Sequence, residues 1–120
     1  MTIPTLHPHH ISFRHAFAGL ITAISTQPNF RVHITFSACA VIAGLLLKIS
    51  ILEWVVITVT ITVGLVVELI NTAIEFTVDL LTQEYRLEAK YAKDTADAAM
   101  LIYSLGSVII AALIFLPRLI

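Results

Sequence analysis

Four polar residues interrupt an otherwise apolar stretch, VELINTAIEFTVDLL, at positions 67–81. Glu68, Asn71, Glu75 and Asp79 stand at offsets of 0, 3, 7 and 11. On a helix turning about 100° per residue they fall within about 80° of one another, which makes a single polar stripe. Ile70, Ile74, Val78 and Leu81 form an oily back. Farther along, Lys93, Asp94 and Asp97 follow in AKDTAD. Carboxylates with an amide suit a hard cation such as Mg²⁺, which keeps several waters and takes one or two protein carboxylates plus substrate phosphates. A lysine beside them suits phosphate charge, and a carboxylate partly removed from water is a better base toward a hydroxyl. These parts favour phosphoryl transfer, although the chain has neither a Walker loop nor a protein-kinase signature. Each residue also has a plainer reading. Glu68 could pair with Lys93, Asn71 could join two helices, and Asp79 could be a solvated helix-end charge. Glu88 and Asp97 are assigned to structure.

The solvent of most of the chain is lipid. Of 120 residues, 58% are hydrophobic and 12% charged, far below the roughly 25% charged of a soluble domain. A net charge of −1 implies no polyanionic partner such as nucleic acid. The single cysteine, Cys39, excludes an intrachain disulfide and reads as a small hydrophobe. No short apolar core followed by a small-residue cleavage site is found near the start, so a removable signal peptide is not expected.

The elements that must position the stripe follow from charge-free runs. Residues 1–11 hold Pro4, Pro8, His7, His9 and His10 without an apolar period, and read as a mobile tail. Over 12–26, Phe13, Phe17, Leu20, Ile21 and Ile24 recur at helical spacing behind Ser12 as N-cap, and Pro28 is expected to stop the helix. This amphipathic helix suits the membrane surface. NFRVH, at 29–33, reads as a hinge into the first span, placed at about 31–48. After a turn at 49–51, Glu53 and Trp54 mark an interface. The β-branched run ITVTITV would be a strand in water, but an isolated strand in lipid leaves its backbone unpaired, so a helix is expected. The second span, at about 52–81, is about 43 Å long and outruns the bilayer. Glu68, 15 residues past Glu53, therefore lies near the far interface. Residues 82–97 read as a polar connection. The third span, at about 95–116, has Gly106, Ser104 and Ser107 as a small-residue packing surface, and Pro117 and Arg118 end it. The fold class is thus an all-α membrane protein with a surface helix and three transmembrane helices, forming one membrane-embedded domain over 12–120. Arg14, Arg31, Arg86, Lys90 and Lys93 fall on one side, Lys48 and Arg118 on the other, which puts the stripe on the cytoplasmic side.

ELINTAIEFTVDL followed by AKDTADAA resembles the signature of the small bacterial integral-membrane lipid kinases, the diacylglycerol kinase and undecaprenol kinase family. The resemblance covers almost the whole chain. It implies a homotrimer in the bacterial cytoplasmic (inner) membrane, with active sites between subunits, that uses Mg²⁺ and ATP to phosphorylate a membrane lipid alcohol. By matching position it implies Glu68 as general base and Asn71 as an orienting residue. It gives Glu75 as metal carboxylate, Asp79 as support, and Lys93 and Asp94 as nucleotide contacts. Glu84, Tyr85 and Arg86 occupy the place of further nucleotide contacts in a loop that matches less closely. The chain departs from the pattern at Gln27, where many members have a second metal carboxylate; an amide oxygen ligates Mg²⁺ more weakly. NFRVH looks more like the undecaprenol-kinase branch. Two other classes compete with a lipid kinase: a small proton-coupled transporter built on an intramembrane Glu, and a non-catalytic membrane assembly subunit. Glu68 near the interface, three spans and the charged connection argue against the transporter.

Overall fold

Ser12 ends the stretch without helical period, and its hydroxyl accepts from the His15 N–H as the first helix begins. The computed structural model describes residues 12–120, so the expected tail and its His7, His9 and His10 lie outside the described residues. Among the described residues there are four helices: α1 (Phe13–Thr26), α2 (Pro28–Leu47), α3 (Ile51–Leu81) and α4 (Leu87–Leu119). The last three are long and apolar enough to cross a membrane. Packing centres on α3, which touches each of the other three. On α1 the apolar stripe is open, with Phe13 at 75% and Phe17 at 62% exposure, while Ala23 is buried. That distribution suits a helix lying on a bilayer surface.

The chain turns between α1 and α2 at Gln27 alone, and the expected hinge at NFRVH is the first turns of α2. Pro28 does stop α1, but it does so by starting α2. Its missing N–H costs nothing at the first helical position, and its ring drives Gln27 into an extended conformation (φ −113°, ψ 104°). Phe30, one turn in, is buried. The other end of α2 closes on Lys48 in the left-handed region (φ 52°), a conformation more often given to glycine.

A capping box starts α3. Ser50 Oγ accepts from the Glu53 N–H at 3.2 Å, and Glu53 Oε2 accepts from the Ser50 N–H at 2.7 Å. Glu53 is more than an interfacial charge, because Arg118 also grips it through both carboxylate oxygens at 2.9 and 2.6 Å. Trp54 is not free at the headgroup level either. It is half-buried against Gly44, where a Cβ would come within 2.7 Å of the ring. Ile49, Ile57 and Ile114 complete a small core at this end. The β-branched run of α3 is helical throughout, with Thr60 Oγ1 donating back to the Val56 carbonyl at 2.7 Å.

Helix α4 corrects the sequence reading most. The polar connection is only residues 82–86, and Glu88 to Asp97 are already helical. Hydropathy marks where a segment leaves lipid, not where a helix ends. LEAKYAKDTADAA is rich in strong helix formers and lacks Gly and Pro, and Lys90 and Asp94 form an i,i+4 ion pair on it. At the far end the helix continues through Pro117 to Leu119, and Arg118 Nη1 donates to the Ile114 carbonyl at 2.8 Å.

The expected small-residue surface is also reassigned. A Cβ on Gly106 would meet no atom within 4 Å, whereas one on Gly64 would fall inside the Tyr103 phenol. Tyr103 OH donates to the Thr60 carbonyl at 2.8 Å, so α4 is seated on α3 where glycine leaves room. Gly64→Ala is expected to lower stability by about 1–3 kcal/mol, as for other overpacked interiors. Thermal unfolding in micelles checks this, with Gly106→Ala showing no loss.

Candidate functional site

One turn beyond Gly64, α3 buries three polar residues: Glu68 at 1% exposure, Asn71 at 4% and Thr72 at 6%. Thr72 satisfies itself on the Glu68 carbonyl at 2.9 Å. Among the described residues Glu68 Oε2 and Asn71 Oδ1 have no hydrogen-bond partner. Buried oxygens without donors are uncommon in folded proteins and mark a place where a ligand group, an ion or water completes the set. Asn71 does not join helices through its carbonyl oxygen, and Glu68 does not pair with Lys93.

Lys93 instead reaches Asp79, with Nζ 2.6 Å from Oδ1. This contact ties α4 to the outer end of the stripe, and among the described residues no cation pairs with Glu68. Glu75, half-buried one to two turns above Glu68, and Asp97 on α4 bring further negative charge to it. Lys93 lies within range of Asp79, Glu75 and Asp97 together. The structure thus gathers Glu68, Asn71, Glu75, Asp79 and Lys93 at one end of the bundle. It adds Asp97, expected from the sequence to be structural; the spacing Lys93, Asp97 at i,i+4 carries that signal.

The remaining expected residues lie farther out. Asp94 is held by Lys90, a cation the sequence reading used only for orientation. Glu84 and Arg86 pair with one another at 3.7 Å, and Tyr85 stands 82% exposed. Among the described residues no hydrogen bond or ion pair joins these three to Glu68, Asn71 or Glu75. Arg86 does border a hollow of about 370 Å³ between the end of α3 and the start of α4, floored by Val78, Leu81, Ala89 and Ala92. Gln27 is half-buried at the α1–α2 corner, its amide 3.4 Å from Thr26 Oγ1. Among the described residues no three His, Cys, Asp or Glu side chains converge as a metal cage.

Residues 14–115, from the start of α1 to the last turns of α4, match the family model described as prokaryotic diacylglycerol kinase. The chain belongs to this family. It is 43% identical over 108 residues to the undecaprenol kinase of Bacillus subtilis, covering 90% of this chain and 88% of that one. It is 42% identical over 111 residues to a diacylglycerol kinase of Synechocystis, covering 91% of this chain and 63% of the relative. A diacylglycerol kinase of Helicobacter pylori is 45% identical over 85 residues, covering 70% of this chain and 66% of the relative. The protein is a membrane-embedded lipid kinase, and the buried end of α3 lies inside the matched region.

The available donors fit the needs of such a kinase. Glu68, Asn71 and Glu75 offer hard oxygen atoms, two of them orphaned, and no sulfur or imidazole. Because an unsatisfied buried carboxylate costs folding free energy, Glu68→Met in this prokaryotic diacylglycerol kinase family member is expected to raise stability by about 1–3 kcal/mol. Thermal unfolding of both forms in micelles measures the difference; a lower midpoint for the variant would show that Glu68 is compensated.

Proposed function

We propose that this kinase phosphorylates a membrane lipid alcohol with MgATP, undecaprenol in preference to diacylglycerol, and that Glu68 is its general base. The observation that carries the reading is the enclosed Glu68 carboxylate, with one oxygen lacking a donor, on a helix long enough to cross a bilayer. A base in that position meets a hydroxyl that stays at the membrane. As the hydroxyl oxygen bonds to the γ-phosphorus and the bond from that phosphorus to the β–γ bridging oxygen breaks to release ADP, Glu68 takes the hydroxyl proton, and Asn71 one turn on orients the incoming oxygen. Glu75, with Gln27 as a weaker amide ligand, would hold Mg²⁺, which would supply charge neutralisation to the phosphates. Lys93 is stored on Asp79 and exchanges that partner for phosphate oxygens. Both members of the pair are substantially exposed, and such pairs are worth only about 0–1 kcal/mol, so the exchange costs little. Asp94 supports the nucleotide from α4. Glu84, Tyr85 and Arg86 contact the nucleotide at the connection, where Arg86 borders the hollow with an apolar floor.

Undecaprenol is preferred because similarity to the Bacillus subtilis undecaprenol kinase runs over nearly the full length of both chains, and because NFRVH resembles that branch. Diacylglycerol is the second reading, carried by relatives named diacylglycerol kinase. The excess of Arg and Lys at the stripe's end supports a site on the cytoplasmic face of the inner membrane. The assembly is a homotrimer with sites between subunits.

A competition assay presenting both alcohols with labelled MgATP is expected to favour undecaprenol in kcat/KM; the reverse ratio assigns diacylglycerol. Glu68→Gln is expected to lower transfer by about 10²–10⁴-fold while the trimer persists by chemical crosslinking. Full transfer in that variant would remove Glu68 as base. Collapse of the proton gradient in proteoliposomes is expected to leave transfer unchanged, and a dependence on it would return the transporter reading.

A further inference from the structure

Three contacts show α4 running back along α3: Lys93 on Asp79, Tyr103 on the Thr60 carbonyl and Arg118 on Glu53. Lys93 on Asp79 sets the register at the Glu68 end. Asp97 follows Lys93 by four residues and Glu75 precedes Asp79 by four, so each lies about 6 Å deeper along its own helix. The two carboxylates therefore come level across the α3–α4 interface.

The aspartates of the chain differ in their partners. Asp79 is held by Lys93 and Asp94 by Lys90, whereas among the described residues Asp97 has no hydrogen bond or ion pair of its side chain. It is exposed beside half-buried Glu75, and the charges of both reach buried Glu68. Like charges on facing helices repel unless a cation lies among them. Two more oxygens belong to the group. Asn71 Oδ1, one turn below Glu75 on the same face, and Glu68 Oε2 are buried, and among the described residues neither has a donor. Carboxylate and amide oxygens without sulfur or imidazole suit a hard divalent cation. Among the described residues no three acidic, His or Cys side chains form a cage, so water and phosphate oxygens must complete the shell, as they do around Mg²⁺.

We propose that Asp97 is a second carboxylate ligand of the divalent cation, opposite Glu75, so that α3 and α4 share the site. The proposal rests on the reading of Glu75 as metal carboxylate. Gln27 is neutral, and Glu75 alone would bring one negative charge to a dication. Asp97 brings the second, one turn from the lysine that takes the phosphates.

Mn²⁺ alone, added to the protein in nanodiscs and followed by the EPR signal of its free aquo ion, is expected to bind at least about tenfold more weakly to Asp97→Asn than to the wild type. Asn keeps the side chain's shape, so the unfolding midpoint should stay unchanged. With ¹³C in the aspartate carboxyl groups, ENDOR of Mn²⁺ bound to the wild type is expected to show a ¹³C coupling that Asp97→Asn removes. Weaker binding in the variant without that coupling in the wild type makes Asp97 a distant charge and overturns the proposal. Equal binding in the two forms overturns it as well. Glu75→Gln, titrated in parallel, separates the two ideas. Aspartate coupling with undiminished binding in Glu75→Gln removes only Glu75, and weakened binding there without aspartate coupling in the wild type removes only Asp97. A wild type that takes up no Mn²⁺ overturns both.

Discussion

Glu68 sits at 1% exposure on a helix whose other faces are largely apolar, and one of its oxygens accepts no hydrogen bond. Such a group is costly wherever water is excluded, and it persists only where its surroundings leave it no alternative. The neighbouring packing supplies that constraint. Gly64, one turn below, lets the Tyr103 ring pack close against α3, and Thr72, one turn above, ties its hydroxyl to the Glu68 carbonyl. The helix cannot rotate to carry the carboxylate toward solvent without expelling Tyr103 from its glycine seat. In the proposed role as base, such a fixed, under-satisfied oxygen meets the acceptor hydroxyl without reorganisation when the reaction begins.

The two ends of the bundle are built differently. At the end away from Glu68, Ser50 and Glu53 cap α3, Arg118 from the last turn of α4 grips Glu53 in bidentate fashion, and three buried isoleucines close the space between. At the Glu68 end the pairs are Lys93 with Asp79 and Lys90 with Asp94, and the connection is five residues at 82–86. Those pairs are exposed and weak, so their cations change partners readily. One end holds the helices together, and the other, on the proposed reading, keeps charges available for the phosphoryl donor.

Much of this was legible in the sequence. Uncharged runs between Lys48, Glu53 and the charges at 84–97 gave the spans, since lipid tolerates few charges. ITVTITV was read as helix against its β propensity because lipid leaves an isolated strand unpaired. Hydropathy reports where a segment leaves lipid, not where its helix ends. Pro28 ends α1 as expected and also starts α2, whereas the polar residues 88–97, expected as a connection, are helical because alanine, lysine and glutamate favour a helix continuing into water. Gly106 was given a packing role that belongs to Gly64, because sequence shows a glycine but not which helix approaches it.

The sequence by itself determined the helical class, the membrane setting, the single polar stripe from Glu68 to Asp79 and the family resemblance, because each depends on spacing along one helix or on composition. Only the tertiary structure decided that Lys93 meets Asp79 and not Glu68, that Asp97 joins the acidic group, and that Arg118 locks Glu53. Each of these depends on how far α4 is rotated and shifted against α3. That rotation is fixed by Tyr103 lying over Gly64 and Arg118 reaching Glu53, contacts between residues 39 and 65 positions apart in the chain.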